Sequence, residues 1–196
     1  MTRSNVAGYV AGFPIPEVLQ GINAFTLGMR SVNPRAEVHV VWLNAWFDPT
    51  RERDAATTLF NQNVDVIAFH TGSTAVMVAA QERGKLAVAY QWGDYYTRRA
   101  QAVLDGTWKS GGVWGGVQQG MIRVGDFGSK VPKAVQAEVL ARQKEIASGK
   151  LHPFYGRQAV LDNQGHTVIA QGQTLGDEQI LAMNWLVQGV QGKIGH

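Results

Sequence analysis

The chain has 196 residues, 45% of them hydrophobic and 17% charged, with a net charge of +3. That balance describes a globular protein with enough length for one good core and excludes a disordered chain. With no cysteine, disulfides, thiolate nucleophiles and Cys-based zinc sites are excluded too. No apolar run approaches the roughly 18 residues that cross a bilayer. The basic residues are scattered, with pairs such as Arg98-Arg99, which reads as a solvated surface and not as a nucleic-acid footprint.

In chain order, Val6–Ala11 reads as a strand and Pro16–Ser31 as a helix, with Val18, Ile22, Phe25 and Met29 on one stripe. Asn33-Pro34 breaks that helix. Val38–Leu43 is a near-continuous apolar strand of the kind buried on both faces of a parallel sheet. Asp48 as N-cap and Pro49 at the first helical position then open a helix over Thr50–Asn61. Val64–Phe69 is a third strand, Ser73–Arg83 a third helix and Leu86–Tyr90 a fourth strand. This βαβαβαβ order implies a parallel sheet with right-handed crossovers.

The second half is less regular. Asp94–Leu104 reads as a helix, followed by the glycine-rich stretch from Gly111 to Gly116, and Met121–Val124 as a short strand. Pro132–Ala147 is an amphipathic helix with Val131, Val135, Val139 and Ile146 on one face, stopped by Gly149. Val160–Leu161, Asn163-Gln164-Gly165 and Thr167–Ala170 form a β-hairpin. A final helix is expected over Asp177–Val187, with Asp177 and Glu178 at its amino end. The expectation is one α/β domain over 1–196: a βα core to 110, then strand, helix, hairpin and closing helix.

Three loops at strand carboxyl ends are the candidate site, since open α/β sheets bind small molecules there. The first, Gly12–Glu17, carries the candidate residues Phe13, Pro14 and Glu17, and its two prolines stiffen it ahead of a helix amino terminus, where backbone N–H donors suit a polar or anionic ligand group. An ordinary βα turn with Phe13 packing downward accounts for the same residues. The second places Asn44, Trp46 and Phe47 after a buried strand. An aromatic face there offers stacking for a flat heterocycle, worth about 1–3 kcal/mol per base; covering a sheet edge is the other use of such a Trp. The third, His70-Thr71-Gly72-Ser73-Thr74, supplies hydroxyls and an imidazole, with Ser73 placed to cap the next helix. No G-x-S-x-G elbow, H-E-x-x-H or Walker loop occurs. No catalytic residue, metal site or cofactor is therefore expected.

Ser4–Val10, Gly21–Gly28, Tyr95-Tyr96-Thr97, Val103–Trp108, His152-Pro153-Phe154 and the stretch from Trp185 to Ile194 together resemble the basic-membrane-protein family of ABC-transporter substrate-binding proteins. The resemblance implies a type I periplasmic-binding-protein fold. Of its two lobes only the carboxyl-terminal one is expected here, as a flavodoxin-like single lobe. It also implies a purine or nucleoside ligand, delivery to an ABC permease, Trp46 as the stacking aromatic, and the loops at Phe13–Glu17 and His70–Ser73 as binding loops. The family's location is periplasmic or membrane-anchored. Met1–Asn5 shows no apolar signal core, so the chain as written is expected to stay in the cytoplasm, without membrane insertion. Tyr90 runs straight into Gln91-Trp92-Gly93-Asp94, where the family has an aspartate-bearing ligand loop and a crossover segment. A homodimer covering the former inter-lobe surface is expected. The alternative is a self-associating structural or interaction domain without useful ligand affinity.

Overall fold

The computed structural model describes residues 2–89 and 93–194. Contacts divide the chain into two compact units, one of Met1–Val88 with Pro153–His196 and the other of Ala89–His152, where the sequence reading takes 1–196 as one domain.

The first unit begins with β1 (Val6–Ala11), α1 (Pro16–Val32), β2 (Glu37–Trp42), α2 (Pro49–Asn61), β3 (Val66–His70), α3 (Ala75–Glu82) and β4 (Leu86–Val88). These are the expected elements with small shifts at their ends. Tyr90, Gln91 and Trp92, which carry the expected end of the fourth strand and the junction after it, lie outside the described residues. The second unit holds α4 (Gly93–Leu104) and α5 (Lys133–Ala147). The chain then returns to the first unit with β5 (Val160–Leu161), β6 (Thr167–Ile169), α6 (Asp177–Leu181) and β7 (Val190–Gln191).

The main sheet has the order β4-β3-β1-β2-β7, and every neighbour pair in it is parallel. β1 lies at its centre and alternates as a two-faced strand must. Ala7, Tyr9 and Ala11 join an apolar cluster with Val18, Leu19 and Ile22 of α1, completed by Phe154, Ile169, Met183 and Leu186. Val10 joins the opposite cluster, with Leu59 and Phe60 of α2, Ile67 of β3, and Val76 and Ala79 of α3. Helices on both faces of a parallel sheet make the α/β lobe that the alternating pattern predicts. The register sets Ala11 beside both Trp42 and His70, so the loops leaving β1, β2 and β3 emerge side by side at one sheet edge.

The carboxyl-terminal stretch departs from expectation. The helix expected over Asp177–Val187 stops at Leu181. Beyond it the backbone is shared between a side chain and the hairpin: Asn23, fully buried on α1, donates to the Trp185 carbonyl at 2.8 Å and accepts from the Val187 amide at 2.8 Å, while the Leu186 carbonyl accepts from the Asn163 amide and the Gln188 amide donates to the Leu161 carbonyl. Met183, Leu186 and Val187 are thereby buried as an extended segment, which leads into β7 beside β2, a strand the periodicity does not announce. The expected hairpin is present as β5 paired antiparallel with β6, its turn held by Asp162 Oδ1, which accepts from the Gln164 and His166 amides.

In the second unit α4 and α5 bury no residue. Val131, Val135, Val139 and Ile146 fall on the expected face but are only half-buried, and Met121 alone among the unit's described residues is buried. Met121–Val124 is not a strand element. Arg123 there makes only an isolated bridge, and side chains also hold the segment, with Arg123 Nε on Asp94 at 2.9 Å and the Val124 amide on Gln143 Oε1 at 2.6 Å.

Candidate functional site

The stiff first loop carries Phe13 from the end of β1 towards the second loop. Phe13 and Trp46 meet with ring centroids 5.1 Å apart at 58°, and Trp46 in turn lies 6.1 Å from the His70 ring at 54°. The three loops thus contribute one ring each to a continuous cluster, in the tilted geometry aromatic rings prefer. The close approach needs glycine: a Cβ on Gly12 would stand 2.7 Å from Trp46 Cε3. Trp46 stays 44% exposed and Phe47 68%, so both sit on the rim, where an aromatic pair following a strand leads one to expect at least one.

Asn44 is exposed and adopts φ 51°, the left-handed conformation that suits Asn in a tight turn. It turns the chain out of β2 so that Trp46 faces back across the sheet edge. Pro14 is half-buried within its stiff loop. Glu17, on the first turn of α1, brings Oε1 to 3.8 Å from His70 Nε2. Burial pushes the His70 imidazole below the ordinary histidine range, and the Glu17 carboxylate opposes that shift.

Asp48 caps α2 as expected, its side chain accepting from the Arg51 amide, with Pro49 at the first position. Ser73 Oγ accepts from the Ala75 amide at 3.1 Å, capping α3 from just outside its first turn. The second and third loops are tied directly by the Gly72 amide, which donates to the Trp46 carbonyl at 2.7 Å. Phe47, Gly72, Ser73, Thr74 and Val78 line an open concavity of about 690 Å³ beside this tie.

The residue that sequence reading passes over is Glu52. It is fully buried, and its carboxylate accepts from the Asp48 amide at 3.1 Å, the Thr71 hydroxyl at 2.9 Å and the Ser73 hydroxyl at 2.6 Å. A glutamate in the first turn of a helix reads as a solvated partner of the helix dipole. The available signal is the pair of hydroxyls at Thr71 and Ser73, which need an acceptor when half-buried. Among the described residues no group of three or more His, Asp or Glu side chains is placed to hold a metal.

A parallel α/β lobe with aromatic and polar loops gathered at its strand carboxyl ends has the layout in which open α/β sheets bind small molecules. Residues 1–96 match the family described as Bmp, ABC transporter substrate-binding protein PnrA-like. Over 99% of its length the chain is 40% identical to a purine-binding protein of Brucella abortus, covering 60% of that relative. It is 32% identical to TsgA13 of Haloferax volcanii, a protein named for ABC-transporter glucose binding, covering 51% of it. The match over residues 1–96 and the two alignments place the chain's similarity with this family of ABC-transporter substrate-binding proteins, and the chain spans little more than half the length of these relatives. Both alignments run over 212 residues, more than the chain contains, so both relatives carry residues within the matched span that this chain lacks. Among solved structures, a transcriptional activator of the comK gene from Bacillus halodurans superposes with a TM-score of 0.63 at 20% identity, over 78% of this chain and 60% of that one. An ABC-transporter solute-binding protein from Conexibacter woesei gives 0.56 at 19% identity, over 76% and 57%. These two likenesses bear on the fold alone.

Proposed function

We propose that the three-loop face binds a purine base or nucleoside, with Trp46 stacking on the heterocycle and Glu17, His70, Thr71 and Ser73 meeting its polar edge, in a protein that serves an ABC permease. The observation that carries this reading is the half-exposed Trp46, held between Phe13 and His70 at the sheet edge. The 40% identity to a purine-binding protein supports it. The reading brings with it the family's periplasmic or membrane-anchored location and a non-catalytic role.

Isothermal titration with adenine, hypoxanthine, adenosine, guanosine and glucose tests it. Binding of a purine that falls about tenfold or more in Trp46→Ala supports stacking at this face. Background heats for every purine overturn it, and glucose binding alone moves the ligand class to sugars.

A second reading, a self-associating interaction domain without useful ligand affinity, is favoured by the second unit. There Val103 and Leu104 are 60% and 80% exposed, with Trp108 and Trp114 about half-exposed. Sedimentation velocity decides it: a concentration-dependent dimer together with background heats supports this alternative, and a monomer removes it.

A further inference from the structure

We propose that Glu52 fixes the hydrogen-bond polarity of the third loop, making Thr71 and Ser73 present acceptors to the ligand and so selecting ligands that bring N–H donors. This inference rests on the purine reading of the site.

It begins from bonding capacity. An ionised carboxylate only accepts, whereas a hydroxyl has one proton to donate and two lone pairs. Both hydroxyls give their proton to the same oxygen, Glu52 Oε2, Thr71 at 2.9 Å and Ser73 at 2.6 Å. The other oxygen, Oε1, takes the Asp48 amide, whose backbone proton cannot be turned away. The fully buried Glu52 is thereby fixed in orientation from the second loop, and the third loop is bonded to it from the other side. Ser73 uses one lone pair on the Ala75 amide. One lone pair on Ser73 and two on Thr71 are left over. Ser73 lines the open concavity beside Phe47 and Gly72, and Thr71 follows His70 on the same loop, next to the Trp46–His70 ring contact. With no proton free to turn outward, a ligand carbonyl or ring nitrogen facing these oxygens meets a lone pair, while an amino group or ring N–H is matched. Glu52 touches no ligand in this arrangement; it acts through the two hydroxyls.

Nucleoside pairs that differ by a single donor test this: adenosine against purine riboside, which lacks the 6-amino group, and guanosine against inosine, which lacks the 2-amino group. Isothermal titration of the full chain is expected to show a preference of about tenfold or more for the donor-bearing member of at least one pair. In Glu52→Gln the amide oxygen stays on the Asp48 amide and the NH2 group takes the place of Oε2, so it donates to the two hydroxyls, which then turn their protons outward. The preference should shrink to about threefold or less while stacking on Trp46 keeps overall binding. Thermal unfolding of the variant checks that it folds. Should it not fold, Thr71→Val and Ser73→Ala each remove one acceptor, and at least one of them must show the same loss of preference. A purely structural Glu52 would weaken both members of a pair equally. Binding with unchanged ratios in Glu52→Gln, or in both hydroxyl variants, overturns the polarity assignment and leaves the purine reading standing. Background heats for all four nucleosides with the unaltered chain overturn the purine reading, and this inference with it.

Discussion

The helices α2 and α5, of 13 and 15 residues, are close in length but are stabilised in different ways. α2 buries Ala55, Ala56, Leu59 and Phe60 against the sheet and Glu52 beneath the loops. α5 buries nothing. Its sequence is instead rich in Ala, Glu, Gln, Lys and Arg, strong helix formers by themselves, with Arg142 bridging Glu138 and Glu145 along one face. α2 exists because the tertiary structure needs it; α5 is specified locally. The candidate loops hang from the first kind of element, which is what a precisely placed site requires.

The largest expected effect sets the two units against each other. Leu59 is 1% exposed and packs in the cluster shared by α2, β3 and α3. Leu59→Ala should cost about 2–5 kcal/mol of stability, the range for a fully buried Leu. Leu140 on α5 is 40% exposed, and Leu140→Ala should cost less than about 1 kcal/mol. Urea denaturation of both variants reads the difference. Equal losses would mean that the second unit is packed far more tightly than its exposures indicate.

Asn23→Ala comes next. It leaves the buried Val187 amide and the Trp185 carbonyl without their side-chain partner, at about 2–4 kcal/mol for two orphaned backbone groups. Hydrogen exchange locates the effect: protection at Val187 should fall sharply in the variant while that of β1 falls only with global stability. If Val187 kept its protection, the carboxyl-terminal segment would be held by burial of Met183 and Leu186 and not by Asn23.

That segment also shows where sequence reading stops. Ile180, Met183 and Val187 are spaced as a helix face, so periodicity alone extends the helix through them. Their burial is served equally well by a non-helical chain once Asn23 and the hairpin backbone take the freed groups, and Asn23 sits 164 residues away. β1 to α3 are legible because each is declared by its own neighbours: apolar runs, Asp48-Pro49 and Asn33-Pro34. The rim aromatics Trp46 and Phe47 are legible because they follow an apolar run that reads as a strand, although β2 itself buries only Val38 fully and leaves its other residues half-buried. The contact of Phe13 with Trp46 and the buried Glu52 are not, since each depends on which loops the sheet order brings together.

The smallest effect concerns protons and separates the two units by mechanism. His70 lies below its ordinary value of 6.5 chiefly through burial, with the Glu17 carboxylate pulling the other way. Protonation therefore costs the folded chain more than the unfolded one, and the unfolded state binds more protons as pH falls. The contribution is fully present above about 6.5 and is lost as pH drops through that value towards the folded one. Thermal midpoints measured between about pH 7.5 and pH 5 should fall more steeply for the unaltered chain than for His70→Gln. Glu145 on α5 contrasts with it: a hydrogen bond from Arg142 is the main cause holding its carboxyl below 4.5. A shift made by an exposed charge partner is screened by salt, and one made by burial is not. NMR titration in low and high salt should thus return Glu145 towards its ordinary value. His70 should stay low, or drop slightly further as the Glu17 attraction is screened. A His70 that rose to its ordinary value in salt would show that charge, and not packing at the sheet edge, sets its protonation.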